Sequence, residues 1–363
     1  MGAMLQAQMQ GRHKRDVAGD RRHRARVVTI CLSLGLMSVF LLSLGWGAAG
    51  QTHVIEALLA SIGIGQAELR DTVILFDIRM PRTLLAAAVG AALAVSGAIL
   101  QGLFRNPLAD PGLIGVSAGA GFGAVAAIVL GGLLPLWLQG LVGFYLVPLA
   151  AFAGGWVSTI LLYLVATRNG RTSVATMLLA GIALGALSGA VTGVIVFSAD
   201  DDQLRDLTFW GMGSVAGATW PKVWTAGPLI ILSLVAAPFL ARSLNALALG
   251  EASARHLGIP VQRMKNVAIL TVACSVGASV AVTGGIGFVG IVVPHLLRLV
   301  QGPDHRGLLI NAGLLGAVML LLADGVSRIV IAPAELPIGI VTALIGGPFF
   351  LWILLKNRKL VDV

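Results

Sequence analysis

Long apolar runs broken by short polar segments dominate the pattern of this chain. A helix of about 20 apolar residues crosses the hydrocarbon core of a bilayer. Windows of that length pick out runs at 27–49, 83–104, 112–134, 141–167, 174–198, 222–241, 264–283, 286–301, 307–330 and 338–355. The pattern predicts ten helices joined by short connections, apart from the longer stretch 50–81. Two runs, VGAALAVSGAILQG (89–102) and LAGIALGALSGAVTG (179–193), carry small residues about four apart. That spacing lets helix backbones approach closely in lipid, so both are predicted helix-packing surfaces.

Composition changes the picture in one respect. With 57% hydrophobic and 11% charged residues among 363, the chain has more apolar surface than one soluble core can hide, so lipid is its expected solvent. The expected fold class is all-α, a polytopic integral membrane protein with ten transmembrane helices.

Charge then sets the orientation. Residues 1–26 hold Arg12, Lys14, Arg15, Arg21, Arg22, Arg24 and Arg26 against Asp16 and Asp20, which is +5 of a net +9. Such a tail beside an apolar run reads as a cytoplasmic anchor rather than a nucleic-acid arm. The run 27–49 is longer than the roughly 7 to 15 apolar residues of a signal peptide, so it is kept as the first span. The expected organisation is a basic tail (1–26), a single transmembrane domain (27–358) and a short cytoplasmic C-terminus (359–363). With both ends inside, only Arg70, Arg79, Arg82, Arg205, Lys222 and Arg328 of the 25 Lys and Arg residues fall outside, together with Asp200, Asp201, Asp202 and Asp206. That matches the cytoplasmic bias of Lys and Arg, and it puts ALGEASARHLGIP (248–260) in the cytoplasm.

Several chemistries are disfavoured. Cys31 and Cys274 lie inside apolar runs and read as small buried hydrophobes. His13, His23, His53, His256, His295 and His305 form no pattern that places two metal ligands on one helix face. No Gly-x4-Gly-Lys-Ser/Thr string occurs, so any ATP used must be bound by another subunit. GIGFVG (285–290) spells a dinucleotide fingerprint, but it lies between two membrane-length runs without strand and helix alternation. Asp324, His295 and Arg298 are the few ionisable groups inside spans. They form no acidic row for an ion-coupled carrier and no catalytic constellation for a membrane enzyme.

Polar islands carry the remaining signal. In RNPLADPGLIG (105–115), Asp110 followed by Pro111 is a helix start. Asn106, Pro107 and Leu108 are not explained by capping and suit a constriction at the inner mouth. Arg79 and Arg82 in RMPRTL (79–84), and Arg328, are cations on the outer side, where they either snorkel to headgroups or serve a function. Glu251 and Arg255 stand at i and i+4, a pairing worth only ~0.2–0.5 kcal/mol. Gly258 and Pro260 stop that helix, leaving a short charged peg suited to a partner's groove.

Four blocks, RMPRTLLAAAVGAALAVSGAILQGLFRNPLADPGLIGVSAGAG, ALGEASARHLGIPV, GGIGFVGIVVPHLLRLVQGPDHR and LLADGVSRIVIAPAELPIGIVTALIGGPFFLWILLK, resemble the FecCD-type permeases of ABC importers. These are the type II importers of iron-siderophores, haem and cobalamin. The likeness runs from about residue 70 to residue 358. It implies a homodimer of ten-helix subunits, two ATPase subunits carrying ATP and Mg2+, and a periplasmic binding protein, all in a bacterial inner membrane, with no nucleic acid and no cofactor on this chain.

The resemblance also implies roles for particular residues. Leu249, Gly250, Glu251, Ala252, Arg255 and Gly258 match the coupling helix that enters the ATPase groove. Arg79, Arg82 and Arg328 match arginines that meet glutamates of the binding protein. Asn106 and Leu108 match one cytoplasmic gate segment; the other falls at Val174 and Ala175, where a relative has hydroxyl-bearing residues. The stretch 203–221 is most similar to the haem-importer branch, which implies haem as substrate, with siderophores and cobalamin as alternatives. A histidine follows proline in cobalamin permeases too, so His295 is read as structural rather than as an iron ligand.

Overall fold

A computed structural model describes the backbone of residues 2–47, 50–51, 54–61, 63–64, 66–168 and 171–356, with side chains of the first helix described from Arg21 onward. The expected C-terminal segment 359–363 lies outside the described residues.

The chain begins with helix α1 (Gly2–Gly45) and a small antiparallel pair, β1 (Trp46–Gly47) with β2 (Gly50–Gln51). Helices α2 (Val54–Ser61) and α3 (Leu69–Val73) follow, and a π-helical stretch Ile74–Arg79 runs directly into α4 (Met80–Phe104). A 3-10 turn, Pro111–Ile114, leads to α5 (Val116–Leu130), then α6 (Leu136–Val142) and α7 (Leu146–Ala166). A second hairpin, β3 (Thr167–Arg168) with β4 (Arg171–Thr172), feeds α8 (Val174–Phe197), α9 (Asp201–Met212) and α10 (Trp220–Leu247). The short α11 (Glu251–His256) precedes α12 (Val261–Thr283), α13 (Val289–Gln301), α14 (His305–Ile329) and α15 (Ile338–Lys356).

Each of the ten expected runs contains a helix. Among the described residues eight stretches are long and apolar enough to cross a membrane, while Val289–Gln301 and Ile338–Ile353 are shorter apolar helices. Three details differ from the sequence pattern. No helix boundary separates the basic tail from the first run, because α1 is continuous through both. The long connection 50–81 is itself largely helical among its described residues. The hydrophilic α9 was not expected; it starts at a capping box in which Asp200 and Gln203 satisfy each other's backbone amides.

Helices apolar on every side belong in the interior. Accordingly α4 and α12 are buried along most of their length, with α14, α10, α13 and α12 packed around α4. Small residues set how close these neighbours come. A β-carbon on Gly90 would stand 2.2 Å from the Gly316 carbonyl oxygen on α14, so α4 and α14 touch backbone to backbone. The expected packing surface at 89–102 is thus used within the chain. The one at 179–193 is used only in part: Gly181 is buried and the helix meets α5 and α7, but Gly185, Gly189 and Gly193 of α8 have open space where a β-carbon would be.

Helix α13 is half a span. Its first turn meets α4 midway along, where a β-carbon on Gly97 would lie 2.0 Å from the Gly290 carbonyl oxygen. In the irregular backbone 284–288 before it, Gly284 and Ile286 are buried while Gly285 and Gly287 are exposed.

Candidate functional site

The bundle has two polar ends. At the proximal end, where α4 and α10 finish and α12 begins, α11 forms a six-residue helix between Gly250 (φ 103°) and Gly258 (φ 77°). Side chains other than glycine are strained in that backbone region, so both turns require glycine. The helix is anchored by the fully buried Ala254, while Ala252 and Arg255 are exposed. Leu249 and Leu257, exposed by 69% and 60%, flank it. The expected Glu251–Arg255 pair is present at 3.6 Å. The other carboxylate oxygen of Glu251 lies 2.5 Å from the ammonium of Lys265, a buried residue of α12 that sequence reasoning did not single out.

Both expected gate segments are at this end. Arg105 leaves α4 in the left-handed conformation (φ 51°), and Asn106 then makes a tight local turn by accepting from the Leu108 amide at 2.9 Å. Asn106 is exposed and Leu108 half-buried. Asp110 does start a helix, but it is the 3-10 turn: its carboxylate accepts from the Gly112 amide at 2.8 Å. Burial pushes the Asp110 carboxyl above the usual carboxylate range, and the Gly112 hydrogen bond only partly opposes this. Val174 and Ala175 occupy the first turn of α8, which packs against the Pro111–Ile114 turn. Ser173 caps α8, with its hydroxyl accepting from the Thr176 amide at 3.3 Å and from the Thr176 hydroxyl at 3.0 Å. Hydroxyl groups therefore flank Val174 and Ala175 on both sides.

At the distal end the structure brings Arg79, Arg82 and Arg328 together, from the π-helical stretch, α4 and α14. They are buried, at 3%, 6% and 4% exposure, rather than displayed on the rim. Arg82 donates to one oxygen of the fully buried Asp324 at 2.9 and 3.0 Å, and to both oxygens of Glu335 at 2.7 and 2.9 Å. Arg328 donates to the second Asp324 oxygen and to the Ser43 carbonyl at 3.1 Å. Arg79 donates to the Leu44 carbonyl at 2.9 Å. The arginines thus tie the end of α1 to α4 and α14. Neither Asp324 nor Glu335 was anticipated as their partner.

The remaining ionisable groups pack between helices. The ring of His295 stands edge-on to Phe349 of α15, 5.9 Å between centroids. Arg298 donates to the Gln101 side-chain oxygen, and Gln101 donates to the Gly290 carbonyl at 3.0 Å. The last glycine of GIGFVG is therefore part of the α4–α13 contact, and the string follows helix α12 rather than a strand. Among the described residues no group of three His, Cys, Asp or Glu is placed to hold a metal ion.

An apolar bundle of this kind, built on a buried spine with charged hardware only at its two ends, falls in the class of multi-span membrane permeases. The FecCD transport family model matches residues 34–356, and the chain belongs to that family, the permeases of ABC importers. The hemin transport system permease protein HmuU of Yersinia pestis is 43% identical over 334 residues, covering 92% of this chain and 94% of the relative. The vitamin B12 import system permease protein BtuC of Shigella boydii is 46% identical over 333 residues, covering 91% and 95%. A solved inward-facing metal-chelate type ABC transporter superposes with a TM-score of 0.79 at 32% identity, covering 91% of this chain and 99% of that one.

Proposed function

We propose that this chain is the membrane-spanning half of an importer that carries haem, or a related iron chelate, from periplasm to cytoplasm across a bacterial inner membrane. Two copies enclose the path, two separate subunits bind and hydrolyse ATP, and a periplasmic binding protein delivers the substrate to the distal end. Both termini are cytoplasmic.

The observation that carries the coupling role is α11: a short helix between two glycine turns, with Leu249, Ala252, Arg255 and Leu257 uncovered on its outer side. An apolar and charged peg whose outer side no described residue covers fits a groove on a partner. ATP binding draws the two ATPase subunits together, the pegs follow, and the rigid spans swing as bodies. Asn106 and Leu108 form one gate segment, Val174 and Ala175 the other. The uncovered glycine face of α8 (Gly185, Gly189, Gly193) supports pairing with a second copy there. The distal arginines serve the binding protein, with Arg82 reaching the surface through its partner Glu335, whose side chain is 30% exposed.

Vitamin B12 is the second reading for the substrate, supported by relatives of that description at 45–47% identity. Proteoliposomes holding this chain with its ATPase subunits and binding protein separate the two. ATP-dependent uptake of haemin and not of cyanocobalamin is the expected result, and the reverse establishes the second reading. Uptake by the chain alone, without ATPase subunits or ATP, overturns the importer mechanism.

A further inference from the structure

We infer that Lys265 is the positioning residue that passes movement of α11 to the first turn of α8, and so to the gate segment at Val174 and Ala175. This rests on the coupling role proposed above.

Lys265 is 3% exposed and lies near the start of α12, within its polar first turns. Its ammonium has three hydrogens to donate. One goes to Glu251 of α11 at 2.5 Å and another to the backbone carbonyl of Thr172 at 2.8 Å. Thr172 ends the β3–β4 hairpin and directly precedes Ser173, the cap of α8. It is held a second time from α12: its amide donates to the Gln262 side-chain oxygen at 3.0 Å, and the Gln262 amide donates to its hydroxyl at 2.7 Å. The peptide that launches α8 is therefore clamped to the first turns of α12, and one of the two clamping side chains also grips the peg.

Stability does not account for this arrangement. Burying an ammonium costs solvation that an apolar residue of similar length would not, and buried ion pairs are often replaced by apolar residues at no loss. A lysine that bridges two separate elements can transmit displacement between them; a methionine in its place would fill the space and transmit nothing. Glu251 would keep Arg255 in that case.

The test uses the full complex in proteoliposomes, in a Cys31→Ser, Cys274→Ser background, with a spin label at Ala175→Cys or, separately, at Leu108→Cys. In the parent, ATP changes the mobility of both labels. Lys265→Met is expected to abolish the change at 175, keep it at 108, keep ATP hydrolysis, and lower substrate uptake about tenfold, the scale of ordinary coupling energies; Lys265→Arg restores the change at 175. A label at 175 that still responds in Lys265→Met overturns the inference. So does loss of both responses together with a lower melting temperature, since Lys265 would then be holding the fold. If ATP moves neither label in the parent complex, the coupling reading itself falls, and this inference with it.

Discussion

Arg82 and Asp324 meet across the α4–α14 contact in a forked geometry, with two guanidinium nitrogens 2.9 and 3.0 Å from a single carboxylate oxygen. Arg328 takes the other oxygen, so one fully buried carboxylate holds two buried cations. Removing one member of such a set strands the rest in a dry interior. Asp324→Ala should cost about 3–5 kcal/mol, seen as a lower unfolding temperature in detergent and poor membrane accumulation.

Glu335 offers a milder lever on the same arginine. It occupies Arg82 from a partly exposed position, so under the proposed docking a carboxylate arriving from a binding protein has to displace it. Partly exposed pairs are worth up to about 1 kcal/mol. Glu335→Gln should therefore tighten docking by up to about fivefold, and the gain should shrink as salt is raised, because rim charges are screened. Titration of the purified complex with its binding protein at low and high salt measures this.

Two glycine substitutions should separate packing within the chain from packing between chains. Gly90→Ala forces α4 and α14 apart at a backbone contact and is expected to cost about 1–3 kcal/mol of stability. Gly189→Leu meets open space, so it should leave unfolding unchanged and weaken pairing of two copies, read out by cross-linking or light scattering in detergent.

Asp304 caps α14, accepting from the Arg306 amide at 3.0 Å and from the Asn245 side-chain amide at 2.6 Å. Burial pushes its carboxyl up, but these hydrogen bonds and the neighbouring Arg306 and His305 charges outweigh that and hold it below its ordinary 3.8. A depressed carboxylate stabilises the fold above its ordinary value and loses that contribution as pH falls through the lowered one. Asp304→Ala should cost about 1 kcal/mol at neutral pH, and the gap to the parent should close below pH 3.8. Denaturation midpoints across pH check it.

Arg255 and Glu251 should behave unequally although they pair with each other. Arg255→Ala loses a contact of 3.6 Å between exposed groups, worth at most about 0.5 kcal/mol. Glu251→Ala also strips Lys265 of its carboxylate and should cost clearly more in unfolding experiments, while both lower coupled uptake.

Hydropathy made the ten helices legible, because a lipid solvent demands a long apolar run wherever a helix crosses. The same signal could not separate α13 from its approach: 286–301 reads as one run, yet its first three residues are an irregular loop, and apolar composition is common to both. Helix α9 escaped because it is hydrophilic, although Asp200-x-x-Gln203 was a capping signal in plain view. The arginines were singled out by type, and they do cluster at the end of the bundle opposite α11, but their burial was hidden. The carboxylate that neutralises Arg82 lies 242 residues away, and no local spacing links the two. Lys265 was counted only as a cytoplasmic charge, since its partners come from a hairpin and a helix brought together by the fold.

The shape of α8 has a mechanical consequence. Its two buried residues, Met177 and Gly181, lie near its base, and the residues beyond them are half-buried or exposed; its 24 residues extend about 36 Å at 1.5 Å each. A rod held most firmly at one end amplifies: one degree of tilt at the foot sweeps the tip by roughly 0.6 Å over that length. A nudge too small to disturb the spine would still shift the far end of α8, so stiffness in the trunk and leverage in its wall coexist in one polypeptide.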